Sequence, residues 1–439
     1  MKTLTSVEEL YELYKKTGVV STDTRNIPGG CIFFGLKGPS FNGSQFAGEA
    51  LLKGAAYAIV DEDLAIEDER IYKTANTLDA LQQLANHHRK QLTIPIIAIG
   101  GSNGKTTTKE LLKAVLEQKY KVLATKGNLN NHIGVPLTLL AIEPTTEIAV
   151  IEMGTNQPGD MEMLCNIADP DYGIVTNIGK EHLEGFGDLE GVAREESVLY
   201  NHLLKQNGLA FINANDAWLV QMAARLSRTF YYGYDNPAFA HTHFDYKGEL
   251  LKTNPFVECR LPGVAEVVKP QLSGEYNFEN ILAAGSIGFY FGVEPGQVKA
   301  AVESYQPSNN RSQVVQKGTN MLFMDCYNAN PSSMEVALRN FASFDAENKV
   351  VVIGDMFELG EHAPAEHEAI ARLCRELEFK DIYSVGPLFA PFSIIMGSKH
   401  YMNVSDLKDH FVLNPLKNSY ILFKASRGIA LEKAAEGIV

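Results

Sequence analysis

Apolar positions recur at helical spacing in the opening stretch MKTLTSVEELYELYKKTG, which predicts an amphipathic, charged helix from the first residues on. Short strand-like pieces follow, CIFFGL and AAYAIV, set among Gly, Pro and Asn turns such as IPGG and GPSFNG. Residues 76–92, NTLDALQQLANHHRKQL, return to helical spacing and lead out of this first unit. From Ile94 the pattern changes. Continuous β-branched runs alternate with helical stretches: IPIIAIGG, KELLKAVLEQ, EIAVIEMG, YGIVTNI, GLAFINA. Runs with no polar alternation predict strands buried on both faces, and therefore a parallel sheet covered by helices. A Gly/Pro/Asn-rich stretch, QPSNNRSQ (306–313), closes that region. Beyond it, NMLFMDCYN, KVVVIGD, DIYSVG and SYILFKAS are separated by helical segments such as AEHEAIARLCREL, a smaller Rossmann-like α/β unit. The expected fold class is α/β in three domains, 1–92, 93–310 and 311–439. The length of 439 residues agrees, at roughly 150 per domain.

Composition narrows the setting. Lys plus Arg number 39 against 53 Asp plus Glu, a net charge of −14, which argues against general binding to nucleic acid or to anionic membranes. No apolar run approaches the roughly 18 residues that span a bilayer, and the opening segment lacks the apolar core of a secretory signal. The five cysteines (Cys31, Cys165, Cys259, Cys326, Cys374) are scattered without a CxxC pair, which fits reduced thiols and a cytoplasmic protein.

The strongest chemical signal is the loop Gly100–Gly101–Ser102–Asn103–Gly104–Lys105–Thr106–Thr107, which leaves a hydrophobic strand and enters a helix directly. Glycines let backbone N–H groups turn toward phosphate oxygens, and the helix N-terminus adds partial positive charge. Lys105 supplies a mobile cation, and the Thr106 hydroxyl is placed to ligate Mg²⁺. The spacing departs from the strict phosphate-loop pattern, because position 99 is Ile and the first glycine comes one residue late. The next strand ends in Glu152, where a carboxylate would hold Mg²⁺ opposite Thr106, and the strand after that exits into Lys180–Glu181–His182, with His182 a metal or phosphate contact. His241-x-His243 offers two more nitrogens but no third ligand in sequence.

With those motifs and six more in order, GNLNNHIGVPLTLL (127–140), EMGTNQPGDM (152–161), GEYNFENILAA (274–284), DCYNANPSSM (325–334), GDMFELGE (354–361) and KASRGIALE (424–432), the chain resembles the Mur ligases of peptidoglycan synthesis over essentially its whole length. The resemblance implies an ATP- and Mg²⁺-dependent amide ligase: an N-terminal domain for the UDP end of the substrate, a central ATP-binding domain and a C-terminal domain delivering the incoming amine. The segment DCYNANPSSM favours the type that adds D-alanyl-D-alanine to UDP-N-acetylmuramoyl tripeptide, and the Asp-Asn-Pro-Arg motif of the relative adding the third amino acid is not found. By the same resemblance Thr24, Arg25 and Asn42 would hold the uridine end, and Asn130 and Asn131 the tripeptide. The nucleotide would meet Gly101, Ser102, Asn103, Gly104, Lys105, Thr106 and Thr107 together with Asn277, Asn280, Arg311 and Asp325. Asn328, Asn330, Ser332, Lys424, Ser426 and Arg427 would face the dipeptide. Asn42–Gly43–Ser44 stands where the family has Asp-Gly-His, and Tyr276 where it has His.

Family members also carry a carbamylated lysine on the helix after the His182 loop, whereas residues 191–199 contain none. Glu196 is therefore expected to supply the carboxylate, and the catalytic set becomes Lys105, Glu152, His182 and Glu196. Adjacent helix positions point about 100° apart, so Glu195 and Glu196 cannot both face one site. A monomer that closes over its substrates is expected. A sibling amide ligase of the folylpolyglutamate type and a nucleotide-gated switch remain as alternatives.

Overall fold

The β-branched runs from Ile96 onward form the central sheet of the computed structural model, which describes residues 1–237, 243–308 and 310–438. Its strands lie in the order Glu258–Arg260, Tyr246–Lys252, Thr229–Tyr234, Leu209–Asn213, Tyr172–Val175, Ile96–Gly100, Ile148–Glu152, Val122–Ala124. All neighbours are parallel except the Glu258–Arg260 edge. The strand that feeds the phosphate loop thus sits between Ile148–Glu152 and Tyr172–Val175, in register Ile99 opposite Glu152 and Gly100 opposite Val175. Three loops bearing polar residues therefore leave the carboxyl edge of the sheet side by side, the place where open α/β sheets bind ligands.

A first, five-stranded parallel sheet comprises Lys2–Thr3, Ile71–Lys73, Tyr57–Val60, Ile32–Phe34 and Val20–Ser21 in that order. Here the structure corrects the amino-terminal reading. Lys2–Thr3 is an edge strand, and the helix spans Val7–Thr17, capped by Ser6, whose hydroxyl accepts from the Glu9 N–H at 3.3 Å. A two-residue strand has no periodicity to read. The expected exit helix is Thr77–Arg89, with Asn76 as its cap. It packs on the helices Gly134–Leu139 and Asp160–Ala168, and one apolar core runs through both units, from Leu10, Leu81 and Leu84 to Val135, Leu139 and Leu164. Arg89 fastens this seam: its guanidinium donates to the carbonyls of Ala168 and Asp169 and to Asp171, whose carboxylate also accepts from the Ile96 N–H at 2.9 Å.

The third sheet, Gln313–Lys317, Asn320–Asp325, Tyr420–Lys424, Lys349–Gly354, Asp381–Val385, Lys399–Tyr401, is parallel except for its first hairpin. It has its own apolar layers on either face. Leu183, which opens the short helix Leu183–Phe186 after the central strand Tyr172–Val175, inserts into one of these layers. All five cysteines are buried and unpaired. Among the described residues no helix is long and apolar enough to cross a membrane.

Candidate active site

The helix Lys105–Leu116 buries Leu111, Leu112, Val115 and Leu116 and starts at Gly104, which has no side chain to cap it. Its first-turn N–H groups have no intrahelical acceptors and are left for a ligand. Two loop glycines are required by geometry. Gly101 (φ +111°) would place a Cβ 2.2 Å from Thr176 Oγ1, and Gly104 (φ +81°) would place one 2.5 Å from Asn280 Oδ1. The loop is held from behind by the next strand's exit: Thr176 Oγ1 donates to the Asn103 carbonyl at 2.6 Å, and Asn177 Oδ1 accepts from the Asn103 N–H at 3.1 Å.

Thr106 and Glu152 meet as expected, the Thr106 hydroxyl lying 3.0 Å from each carboxylate oxygen. Asn130 Nδ2 donates to Glu152 Oε1 at 2.8 Å, which ties the loop at 127–131 to the end of the strand Ile148–Glu152. Lys109, fully buried, lies 3.4 Å from Glu152 and donates to the Gly127 carbonyl at 3.2 Å. Lys105 turns back on the Gly101 carbonyl and faces Glu181 at 3.4 Å. Burial alone would pull the Lys105 pKa down, but Glu181, Glu196 and Glu152 together outweigh it and hold the ammonium above its ordinary value. The two of these carboxylates that line the cavity, Glu152 and Glu181, would repel a triphosphate beside Lys105 unless divalent cations intervene. Glu181 is nearly buried, and its Oε1 has no hydrogen-bond partner. Among the described residues no group of three or more His, Cys, Asp or Glu side chains forms a ready-made metal cage. Thr106, Glu152 and the orphaned Glu181 oxygen fit Mg²⁺, which keeps several waters and shares its sphere with substrate phosphates.

The loops open onto a cavity of about 580 Å³ whose lining includes Ser102, Asn103, Gly104, Lys105, Thr106, Thr107, Asn130, Asn131, Glu152 and His182. Asn277 and Asn280, on the helix Glu275–Tyr290, form a second wall. Arg311, Asp325, Asn328, Asn330, Ser332 and Lys424 close it from the third unit. Lys424, almost fully buried, pairs with Asp325 at 2.5 Å, and the Arg311 guanidinium stacks 3.4 Å from the Tyr327 ring. The unit is docked: Asn330 Nδ2 donates to Asn103 Oδ1 at 2.9 Å, the Lys180 N–H to Ser332 Oγ at 2.7 Å, and Lys180 Nζ pairs with Glu366 at 2.6 Å. His182 Nδ1 lies 3.0 Å from Glu358, and that bond holds the Glu358 carboxyl below its ordinary pKa.

Sequence comparison meets this geometry. Residues 17–98 match the catalytic domain of the Mur ligase family, 99–288 the Mur ligase middle domain and 310–415 the Mur ligase glutamate ligase domain. The UDP-N-acetylmuramoyl-tripeptide–D-alanyl-D-alanine ligase of Bacillus subtilis (strain 168) is 32% identical over 442 residues, covering 97% of this chain and 94% of its own. The chain belongs to the Mur ligase family. Among solved structures, MurF from Acinetobacter baumannii superposes with a TM-score of 0.85 at 28% identity, covering 97% of each chain. The MurF ligase of Thermotoga maritima in complex with ADP gives 0.81 at 26% identity, covering 96% of this chain and 97% of that one.

Several residues expected at the site of this Mur ligase lie elsewhere. Glu196 does not line the cavity. It is fully buried one layer beneath the phosphate loop, its Oε2 accepting from the Gly101 N–H at 2.7 Å and its Oε1 from Thr155 Oγ1 at 3.1 Å. Glu195, about 100° round the helix, accepts instead from Gly159 and Met161 N–H groups, so the two do diverge as helical geometry requires. Glu181, next to His182 in sequence, faces Lys105 at 3.4 Å and lines the cavity; the motif contained it, but its exposed-looking KEH context did not single it out. Ser426 is buried and spent on structure, donating to the Ala329 carbonyl at 3.1 Å and accepting from the Phe357 N–H at 3.0 Å. Arg427 faces Tyr327 at 5.3 Å without lining the cavity, and Gly101 supports the loop from behind. Thr24, Arg25 and Asn42 sit in the first unit, outside this cavity. Arg25 is held by Asp23 at 2.8 Å, and Asn42 donates to Glu62 at 2.8 Å. Lys109 was readable, since positions 105 and 109 share a helix face. His243 pairs with Asp245 at 3.1 Å on the surface, and His241 lies outside the described residues.

Burial raises the Glu196 pKa from 4.5 to about 7; Lys105 opposes the rise and Glu181 adds to it. The folded chain thus keeps a proton that the unfolded chain has released, and this contribution to stability is full at low pH and is lost as pH rises toward 7. Glu196→Gln can keep both hydrogen bonds without the charge. Its melting temperature relative to the parent is expected to be higher at pH 8.5 than at pH 6. Thermal melts at the two pH values that show an equal difference would contradict this.

Proposed function

We propose that the protein joins D-alanyl-D-alanine to UDP-N-acetylmuramoyl tripeptide at the expense of ATP, in cytoplasmic assembly of cell-wall precursor. The observation that carries this reading is the single cavity in which Lys105, the Thr106–Glu152 pair and His182 face Asn328, Asn330, Ser332 and Lys424 across the cleft. A carboxylate is a poor electrophile. The tripeptide's terminal carboxylate oxygen therefore takes the γ-phosphoryl group, its O–P bond forming as the bond to ADP breaks. The dipeptide's neutral amine then attacks the acyl carbon, and the C–N bond forms as inorganic phosphate leaves. Charge accumulates on phosphoryl oxygens throughout, so electrostatic positioning dominates.

Lys105 has the charge and reach to release the Gly101 carbonyl and neutralise the transferred group. Thr106 and Glu152 would hold Mg²⁺ at the nucleotide, and His182 with Glu181 a second cation nearer the acyl group; bound there, the ions would offset phosphate charge and polarise the acyl oxygen. Asn277, Asn280, Arg311 and Asp325 would seat the nucleoside, and Asn130 and Asn131 the peptide. Asn328, Asn330, Ser332 and Lys424 would orient the amine donor. Thr24, Arg25 and Asn42 would hold the uridine diphosphate end, with the 1–92, 93–310 and 311–439 segments as the three working domains. Docking of the third unit would shield the acyl phosphate from water. A monomer is the proposed working unit.

The test is phosphate release from ATP with UDP-muramoyl tripeptide, with and without the dipeptide, followed by mass analysis. Dipeptide-dependent ADP formation is expected, with a product heavier than the tripeptide substrate by the mass of the dipeptide less one water. ADP release indifferent to the dipeptide would favour a nucleotide switch and overturn the ligase reading.

A further inference from the structure

The contact between His182 and Glu358 crosses the cleft, joining a loop of the central sheet to the GDMFELGE turn of the third unit. Both residues hold left-handed backbone, His182 at φ +45° and Glu358 at φ +63°. Non-glycine residues rarely adopt this conformation, and it is strained for each of them. The two turns lock backbone to backbone: the Glu184 N–H donates to the Glu358 carbonyl at 3.3 Å, and Gly360 (φ +51°) stands against Glu184 so closely that a Cβ would lie 3.2 Å away. Leu183, between His182 and Glu184 in sequence, is seated in the third unit's core.

A neutral imidazole has one N–H. With Nδ1 at 3.0 Å from a carboxylate, the proton belongs on Nδ1, and Nε2 keeps its lone pair for the cavity that His182 lines. We propose that Glu358 is a positioning residue which fixes the tautomer and orientation of His182, and that it does so only when the third unit is docked. Amine delivery and readiness of His182 are then one event, since the same unit carries the Asn328–Ser332 wall and the carboxylate that sets the ring. What His182 acts on rests on the ligase reading; the placement of its proton does not.

The experiment uses full-length protein labelled with ¹⁵N-histidine, with the His182 signal assigned by its loss in His182→Gln. At pH 8 the parent is expected to show His182 protonated on Nδ1. In Glu358→Ala the signal should move toward the Nε2–H form, whereas Glu358→Gln, which keeps an acceptor oxygen, should stay like the parent. In parallel, kcat for Glu358→Ala is expected to fall about 10–100-fold with KM for ATP little changed, and Glu358→Gln should recover most of it. An unchanged His182 tautomer in Glu358→Ala overturns the proposal, as does an unchanged kcat beside an active parent. A parent that forms no amide product refutes the ligase reading alone, and the tautomer comparison still decides this one.

Discussion

Lys105→Ala is expected to lower amide-forming turnover by about 10³-fold or more, since losing one neutral donor to a developing oxyanion already costs about 10²–10³ and Lys105 brings a full charge. Three carboxylates, Glu181, Glu196 and Glu152, act on this one ammonium. Its removal deprives a triphosphate of its nearest cation and leaves the acids facing one another. Glu181 then has no partner on either carboxylate oxygen, so the variant should also melt at a lower temperature while still unfolding cooperatively. Turnover at saturating substrates, with circular dichroism to confirm the fold, checks both parts. A folded variant that retains a tenth of the parent rate would remove Lys105 from phosphoryl transfer.

Glu152→Gln probes the magnesium side without changing shape. The amide can still meet the Thr106 hydroxyl and Asn130 Nδ2, both of which bond Glu152 in the parent, so the loop at 126–131 should keep its place. What disappears is the negative charge that Thr106 and the buried Lys109 frame. Activity should fall about 10²-fold or more, and the Mg²⁺ concentration for half-maximal rate should rise about tenfold, because hard cations are held by charged oxygens. A Mg²⁺ titration that superimposes on the parent's would take Glu152 out of the metal site.

Much of this architecture can be read from the chain because its signals are local. The parallel strands announce themselves as unbroken β-branched runs, and the phosphate loop carries glycine, lysine and threonine within a few residues between a strand and a helix. What could not be read depends on depth and on distant partners. Helical periodicity gave the direction in which Glu196 points, but not that Gly101 and Thr155 lie between it and the cavity. Ser426 and Asn42 look free in sequence and are engaged by residues many positions away, Ala329 and Glu62. Glu358 gained meaning only when the third unit brought it against His182. Hydroxyl, amide and carboxylate groups carry no mark of whether the fold will spend them on itself.

The seam between the first two sheets has a consequence for biogenesis. Because Leu10, Leu81 and Leu84 share one interior with Val135, Leu139 and Leu164, residues 1–92 by themselves expose an oily flank that the following segment covers. The trailing sheet owns both of its apolar layers apart from the borrowed Leu183, and can mature separately. Grafting experiments that exchange specificity among relatives should therefore cut near residue 310 and treat everything upstream as indivisible.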